Sequence, residues 1–154
     1  MSKNVKDVMS KDVLTASPNM RLRDAAEVMR SWNIGSMPVC DDRQVVGIVT
    51  DRDITIRGVA EGLDPSIARV GEVMSRDIVA IREDADLDEA ERIMSEWQLR
   101  RLPVLNGQNE LIGYLALAKV ARSDSAREAG KLLQNVSKPR KGTDRRGWDR
   151  RQTG

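Results

Sequence analysis

VKDVMSKDVLTASPNMRLRDAAEVMRSWNIGSMPV, residues 5–39, and VGEVMSRDIVAIREDADLDEAERIMSEWQLRRLPV, residues 70–104, are one pattern written twice. Eleven of the 35 paired positions are identical, and many of the others keep their character. Val8-Met9-Ser10 falls on Val73-Met74-Ser75, and Asp12 on Asp77. Leu22, Ala25, Met29 and Trp32 fall on Leu87, Ala90, Met94 and Trp97, and Pro38-Val39 on Pro103-Val104. One extra residue then enters the second copy, so that Gly47 meets Gly113 rather than Ile112. Self-similarity over such a period marks a duplicated structural unit.

Each copy reads alike. Val13-Leu14-Thr15 and Ile78-Val79-Ala80 are short β-prone runs that predict first strands. The shared Leu, Ala, Met and Trp recur at i, i+3, i+7 and i+10, one stripe of a helix, and core packing is the expected role of both tryptophans, with base stacking as the alternative. Asp86 followed by Glu89 makes a capping-box start. Met37 to Cys40 and Leu102 to Leu105 read as second strands, with Pro near the start of each, where a missing N–H does least harm. Turns follow at Asp41-Asp42 and Asn106-Gly107, the latter a strong hairpin signal. Third strands span Val45 to Thr50 and Leu111 to Ala116, and second helices begin near Asp51 and Leu117.

The unit is therefore β-α-β-β-α, repeated, an α/β (α+β) class with domains at 5–62 and 70–125. The linker Gly58 to Arg69 carries Gly58, Gly62 and Pro65. About 55 residues with so few aromatics bury too little apolar surface to be comfortably stable alone. Two copies packed sheet against sheet about a pseudo-twofold axis solve this, and leave two related clefts.

Composition narrows the chemistry. The 154 residues include no Phe, one Tyr and three Trp, so the core must rest on Val, Ile, Leu, Met and Ala. There is no His, which removes the usual general base and the commonest zinc ligand. Cys40 is the single cysteine, read as a small apolar side chain in a strand, with a redox role as the alternative. No nucleophile–base pair, metal cluster or phosphate-binding P-loop is visible, so neither catalytic nor metal-ligating residues are expected. No apolar run approaches the roughly 18 residues that cross a bilayer, and the mixed-charge start lacks a signal peptide, which together predict a cytoplasmic protein with no membrane partner.

Val-Met-Ser, the Leu-x-x-Ala-x-x-x-Met helix, the Gly-x-x-Pro-Val strand and Gly47-Ile-Val-Thr-Asp-Arg-Asp53 together resemble a CBS domain. The resemblance covers both copies, residues 5–122, and extends to small stand-alone bacterial CBS proteins of the hypoxic-response type. It implies a regulatory CBS pair (Bateman module) that binds an adenosine nucleotide in its clefts: AMP, ADP, ATP or a related dinucleotide, NAD included. Within that family the G-h-h-[ST]-x-x-D element supplies a hydroxyl and a ribose-gripping carboxylate, here Thr50 and Asp53. A carboxylate accepts two hydroxyl protons at once, and a strand-to-helix junction also aims backbone N–H groups into the cleft. Thr50 alone is equally a helix N-cap, but a cap by itself does not call for Asp53.

The resemblance builds each cleft from both copies. Thr50, Arg52 and Asp53 are expected to face Val79 and Ala80 beside the adenine, with Leu99 and Arg100 closing the cleft. Arg100 and Arg101 are candidates for phosphate, as is Arg52; solvated surface charge is the plainer reading of all three. The opposite cleft would use Thr15, Ile34, Gly35 and Ser36 with Lys119. There the second copy departs, since Ala116 replaces the Thr and Lys119 the Asp, which removes the ribose grip and adds a cation.

Residues 126–137 read as a helical extension with Leu132, Leu133 and Val136 along one edge. Residues 138–154 form a basic tail of net charge +5, leaving about −3 for the rest. The composition of that tail suggests disorder, and Trp148 among arginines suggests the rival function, nucleic-acid binding through the tail. A homodimer with an unidentified protein partner completes the expectation.

Overall fold

The structure, a computed structural model, describes residues 3–123 and 126–138; the basic tail from residue 139 lies outside the described residues. Helices and small sheets alternate in an α+β fold. The elements are α1 (Leu22–Trp32), β1 (Ser36–Asp41), β2 (Gln44–Thr50) and α2 (Asp51–Asp53), which runs on as a π-helical turn (Ile54–Val59). The second series is β3 (Ile81–Arg82), α3 (Leu87–Trp97), β4 (Arg101–Leu105), β5 (Leu111–Ala116), α4 (Leu117–Arg122) and α5 (Ala126–Ser137).

The chain forms two compact units, and these regroup the sequence repeats. The contiguous unit holds residues 14–78. The interrupted unit joins residues 3–13 to the described residues from Val79 to Lys138. Each repeat thus gives its leading segment to the unit built from the other repeat's helices and strands. The Val5 N–H donates to the Ala85 carbonyl at 2.9 Å, and the Val70 N–H donates to the Met20 carbonyl at 2.7 Å. These bonds are equivalent, since Val70 is the repeat partner of Val5 and Ala85 that of Met20, and each is made inside its own unit.

Farther along, the same segments lie against a strand. Ser75 exchanges both backbone hydrogen bonds with Ile48 in β2, at 2.8 and 2.9 Å, and Ser10 does the same with Tyr114 in β5, at 2.9 Å each. Glycine makes that approach possible. A Cβ on Gly47 would stand 2.7 Å from the Met74 sulfur and 2.8 Å from the Ser75 carbonyl oxygen, and one on Gly113 would press on Met9.

In the contiguous unit β1 and β2 form an antiparallel pair with a bulge between Val39 and Cys40. In the interrupted unit β4 and β5 pair in the same way, and β3 adds a parallel edge. The expected first strands are corrected here. Residues 13–15 and 78–80 form no strand; pairing begins later, at Ile81 in one unit and as a single bridge from Ala16 to Val39 in the other. The hairpin after β4 also differs from a two-residue Asn-Gly turn. Its left-handed residue is Asn109, and the Asn106 side chain accepts from the Gln108 and Glu110 N–H groups to shape a longer loop.

Both cores lack aromatic rings. One packs Leu22, Ala25, Met29, Met37, Val39, Val49, Val70 and Val73. The other packs Val5, Leu87, Ala90, Met94, Leu102, Val104, Leu115 and Val120, joined by Leu132 and Val136 of α5. The tryptophans expected in these cores are outside them: Trp32 is 65% exposed and Trp97 46%. At about 100° per residue Trp32 lies only about 20° around the helix from the buried Ala25, so it is the end of the helix that sets it outside, with Asn33 left-handed after Trp32 and Gln98 after Trp97. Cys40 is buried, and that burial pushes its thiol pKa up.

Candidate functional site

Where β2 meets α2, extended backbone turns into helix, and the first helical N–H groups need acceptors. Thr50 Oγ1 accepts from the Asp53 N–H at 3.0 Å, and Asp53 Oδ2 accepts from the Thr50 N–H at 2.9 Å. This is a reciprocal capping box. It corrects the expectation that a cap would leave Asp53 without a local task. Asp53 is 1% exposed, so its carboxylate has exchanged bulk water for backbone donors. Each carboxylate oxygen has two acceptor sites, so the cap does not exhaust Asp53.

The neighbouring loop is fastened to the same junction. The Asp51 N–H donates to the Gly35 carbonyl at 3.0 Å, and a Cβ at Gly35 would come within 3.2 Å of the Asp51 carboxylate. Ser36 stands opposite Thr50 in the β1–β2 register. The contiguous unit therefore gathers Ile34, Gly35, Ser36, Thr50, Arg52 and Asp53 on one ledge, with Arg52 exposed. Thr15, also exposed, belongs to this unit and immediately precedes the bridge residue Ala16.

The interrupted unit repeats the ledge with different chemistry. The Leu117 N–H donates to the Arg100 carbonyl at 2.8 Å, and Arg101 stands opposite Ala116. Ala116 gives α4 no side-chain cap. Lys119, in the place of Asp53, donates from Nζ to Ser10 Oγ at 2.8 Å. Val79, Ala80 and Leu99 are half-buried in this unit, while Arg100 and Arg101 are exposed. The fold thus groups Thr50, Arg52 and Asp53 with Thr15, Ile34, Gly35 and Ser36. It groups Val79, Ala80, Leu99, Arg100 and Arg101 with Lys119.

Sequence reasoning missed one set of contacts. Arg100 Nη2 donates to Ser137 Oγ at 3.1 Å, and the Gln98 side-chain amide donates to the Lys138 carbonyl. No local pattern could have signalled pairs so distant along the chain.

Comparison with known proteins fits this geometry. The family model described as CBS domain matches residues 5–57 and 70–125. The chain belongs to the CBS-domain family. CBS domain-containing protein YhcV of Bacillus subtilis is 39% identical over 135 residues, 87% of this chain and 95% of its own length. Hypoxic response protein 1 of Mycobacterium tuberculosis is 38% identical over 118 residues, covering 76% of this chain and 82% of that one. A crystal structure of a hypoxic response protein with two coordinated zinc ions matches with a TM-score of 0.73 at 36% identity, over 80% of this chain and 100% of that one. A crystal structure of the CBS-pair protein CBSX2 of Arabidopsis thaliana in complex with AMP matches with a TM-score of 0.67 at 27% identity, over 78% of this chain and 94% of that one.

The chain has no His, its single Cys is buried, and among the described residues no three His, Cys, Asp or Glu side chains cluster. Among those residues, too, no helix is long and apolar enough to cross a membrane.

Proposed function

We propose that this CBS pair is a non-catalytic sensor of an adenosine nucleotide, AMP, ADP, ATP or a dinucleotide such as NAD. The carrying observation is the β2–α2 junction, where Thr50 and Asp53 hold each other in a fixed geometry beside the exposed Arg52. In this reading Asp53 accepts the ribose hydroxyls with the capacity its cap leaves over. Val79 and Ala80 border the adenine, Leu99 and Arg100 close the cleft, and Arg52, Arg100 and Arg101 supply cations for phosphate. Thr15, Ile34, Gly35, Ser36 and Lys119 would line a second cleft without a ribose acceptor. The AMP held by CBSX2, another CBS pair, supports the ligand class. The comparisons do not favour the rival reading of a nucleic-acid binder. The sensor acts in the cytoplasm, as a homodimer, on a protein partner.

Asp53 now has two jobs, so the test must separate them. Asp53→Asn keeps a side-chain oxygen for the Thr50 N–H while discarding the charge. Loss of charge-assisted bonds worth about 1.5–3 kcal/mol should weaken AMP roughly 10- to 150-fold in calorimetry, with the thermal midpoint little changed. Unchanged affinity, or no binding of AMP, ADP or ATP to the parent protein, refutes the assignment. Sedimentation equilibrium should give twice the 17.2 kDa chain mass; a monomer at tens of micromolar refutes the dimer.

A further inference from the structure

The loop from α3 to β4 presents Gln98, Leu99 and Arg100, and two of these side chains are already engaged. Gln98 donates to the Lys138 carbonyl and Arg100 to Ser137 Oγ, both at the C-terminal end of α5. Helix α5 is therefore tied at its end to the loop that holds a candidate phosphate ligand.

The rest of α5 is lightly held. Of its described side chains only Leu132 and Val136 are buried. Gly130 stands in its middle with nothing within 4 Å of where a Cβ would be, so it contributes backbone freedom and no packing. Toward α3 the helix borders a groove lined by charged and polar groups, among them Asp88, Arg92, Glu128, Lys131 and Asn135. An element with few buried apolar contacts opens at low free energy. Two hydrogen bonds at its end are then a large share of what fixes that end.

We propose that the end of α5 is a strap that competes with a ligand's phosphate for Arg100. This rests on the nucleotide reading above and adds a regulatory output to it. In this structure the neutral Ser137 hydroxyl is the acceptor of the Arg100 guanidinium. A phosphate oxygen is anionic and forms the stronger, charge-assisted bond. Once a phosphate takes Arg100, the end of α5 keeps the Gln98 contact and the packing of Val136, and it loosens beyond that residue. Ligand occupancy is thereby reported to the chain that follows residue 138. By linkage, what loosens the strap must also tighten the phosphate.

The experiment compares wild type with Ser137→Ala, a position outside the proposed cleft, using AMP and adenosine as probes. Calorimetry should show AMP bound about two- to five-fold more tightly by Ser137→Ala, the size expected for one exposed hydrogen bond. Adenosine, which has no phosphate, should bind both proteins equally. Hydrogen exchange at residues 137–138 should quicken in wild type when AMP is added, and should already be quick in Ser137→Ala before AMP is added. Equal AMP affinity in two binding-competent proteins overturns the strap and leaves the nucleotide reading standing. An equal gain for AMP and adenosine, or slower exchange at the helix end with AMP, also overturns it. If neither protein binds AMP, ADP, ATP or adenosine, the nucleotide reading falls and takes the strap with it.

Discussion

Replacing Gly47 by Ala puts one methyl group where the Ser75 backbone passes over β2. The added Cβ would lie 2.7 Å from the Met74 sulfur and 2.8 Å from the Ser75 carbonyl oxygen. The sulfur lies near the end of a flexible side chain and can shift more readily than backbone, though Met74 is packed in the core. The carbonyl cannot, because it accepts from the Ile48 N–H at 2.9 Å while the Ser75 N–H donates back at 2.8 Å. The segment is also pinned just before it, where Arg57 donates to the Val73 and Met74 carbonyls at 3.1 and 3.2 Å.

Relief therefore means lengthening both ladder bonds, each worth about 0.5–1.5 kcal/mol, on top of about 1–3 kcal/mol of overpacking strain. A total of about 2–6 kcal/mol is expected for Gly47→Ala, roughly 4–24 °C in Tm for a chain of this length. Gly113→Ala is the internal control. Its Cβ would press on the Met9 side chain, and the nearest backbone oxygen, of Ser10, is farther away at 3.1 Å. It should cost about 1–2 kcal/mol. Differential scanning calorimetry of the two variants gives the comparison, and a Gly113→Ala loss equal to or greater than that of Gly47→Ala refutes the reasoning.

Reversing the asymmetry of the two junctions should create a site. Wild type is expected to titrate with about one strong AMP site per chain and Ala116→Thr with Lys119→Asp with about two, whereas two equal strong sites in wild type would show the departure to be silent. Cys40 predicts a pH dependence. Its folded pKa is raised by burial, so its contribution to stability is fully present below the unfolded value and lost as pH rises through the folded one. Urea midpoints should fall above about pH 8.5, and Cys40→Val should flatten that decline. An identical slope in the variant would exclude Cys40 as its source.

The duplication, the helix stripe and the Thr50–Asp53 junction were legible because each is a local pattern. Leu22, Ala25 and Met29 follow helical spacing into the core, and Gly47 to Asp53 places a strand end against a helix start. Trp32 continued the count, but the end of α1 sets it outside. The first strands were misplaced because in the contiguous unit Ala16 alone bridges to β1, too little pairing to leave a β pattern in the right register. The regrouping of the repeats was invisible for a different reason. Val5 and Val70 present the same side chain to equivalent backbone, so sequence similarity cannot tell which copy each one joins. Ser137 gave no signal either, since a surface serine carries no mark of the arginine it will meet.

The regrouping also sets a schedule. Unit 14–78 is a single stretch of chain and can close as soon as it has been synthesised. The segment that ends at Val13 cannot finish at that time, because the backbone partner of Ser10 is Tyr114. At about 5–20 residues per second of translation, the chain between these two amounts to a wait of about 5–20 s. During the last part of it, while residues 79–114 are made, the Val-Met-Ser strip stays unclaimed although the contiguous unit can already close with Ser75 on its docking strand β2. Loop closure alone would bring Val5 to Ser10 to the nearer Met20 and Ile48 rather than to Ala85 and Tyr114, so it is the occupation of those places by Val70 to Ser75 that keeps the strip for its own partners.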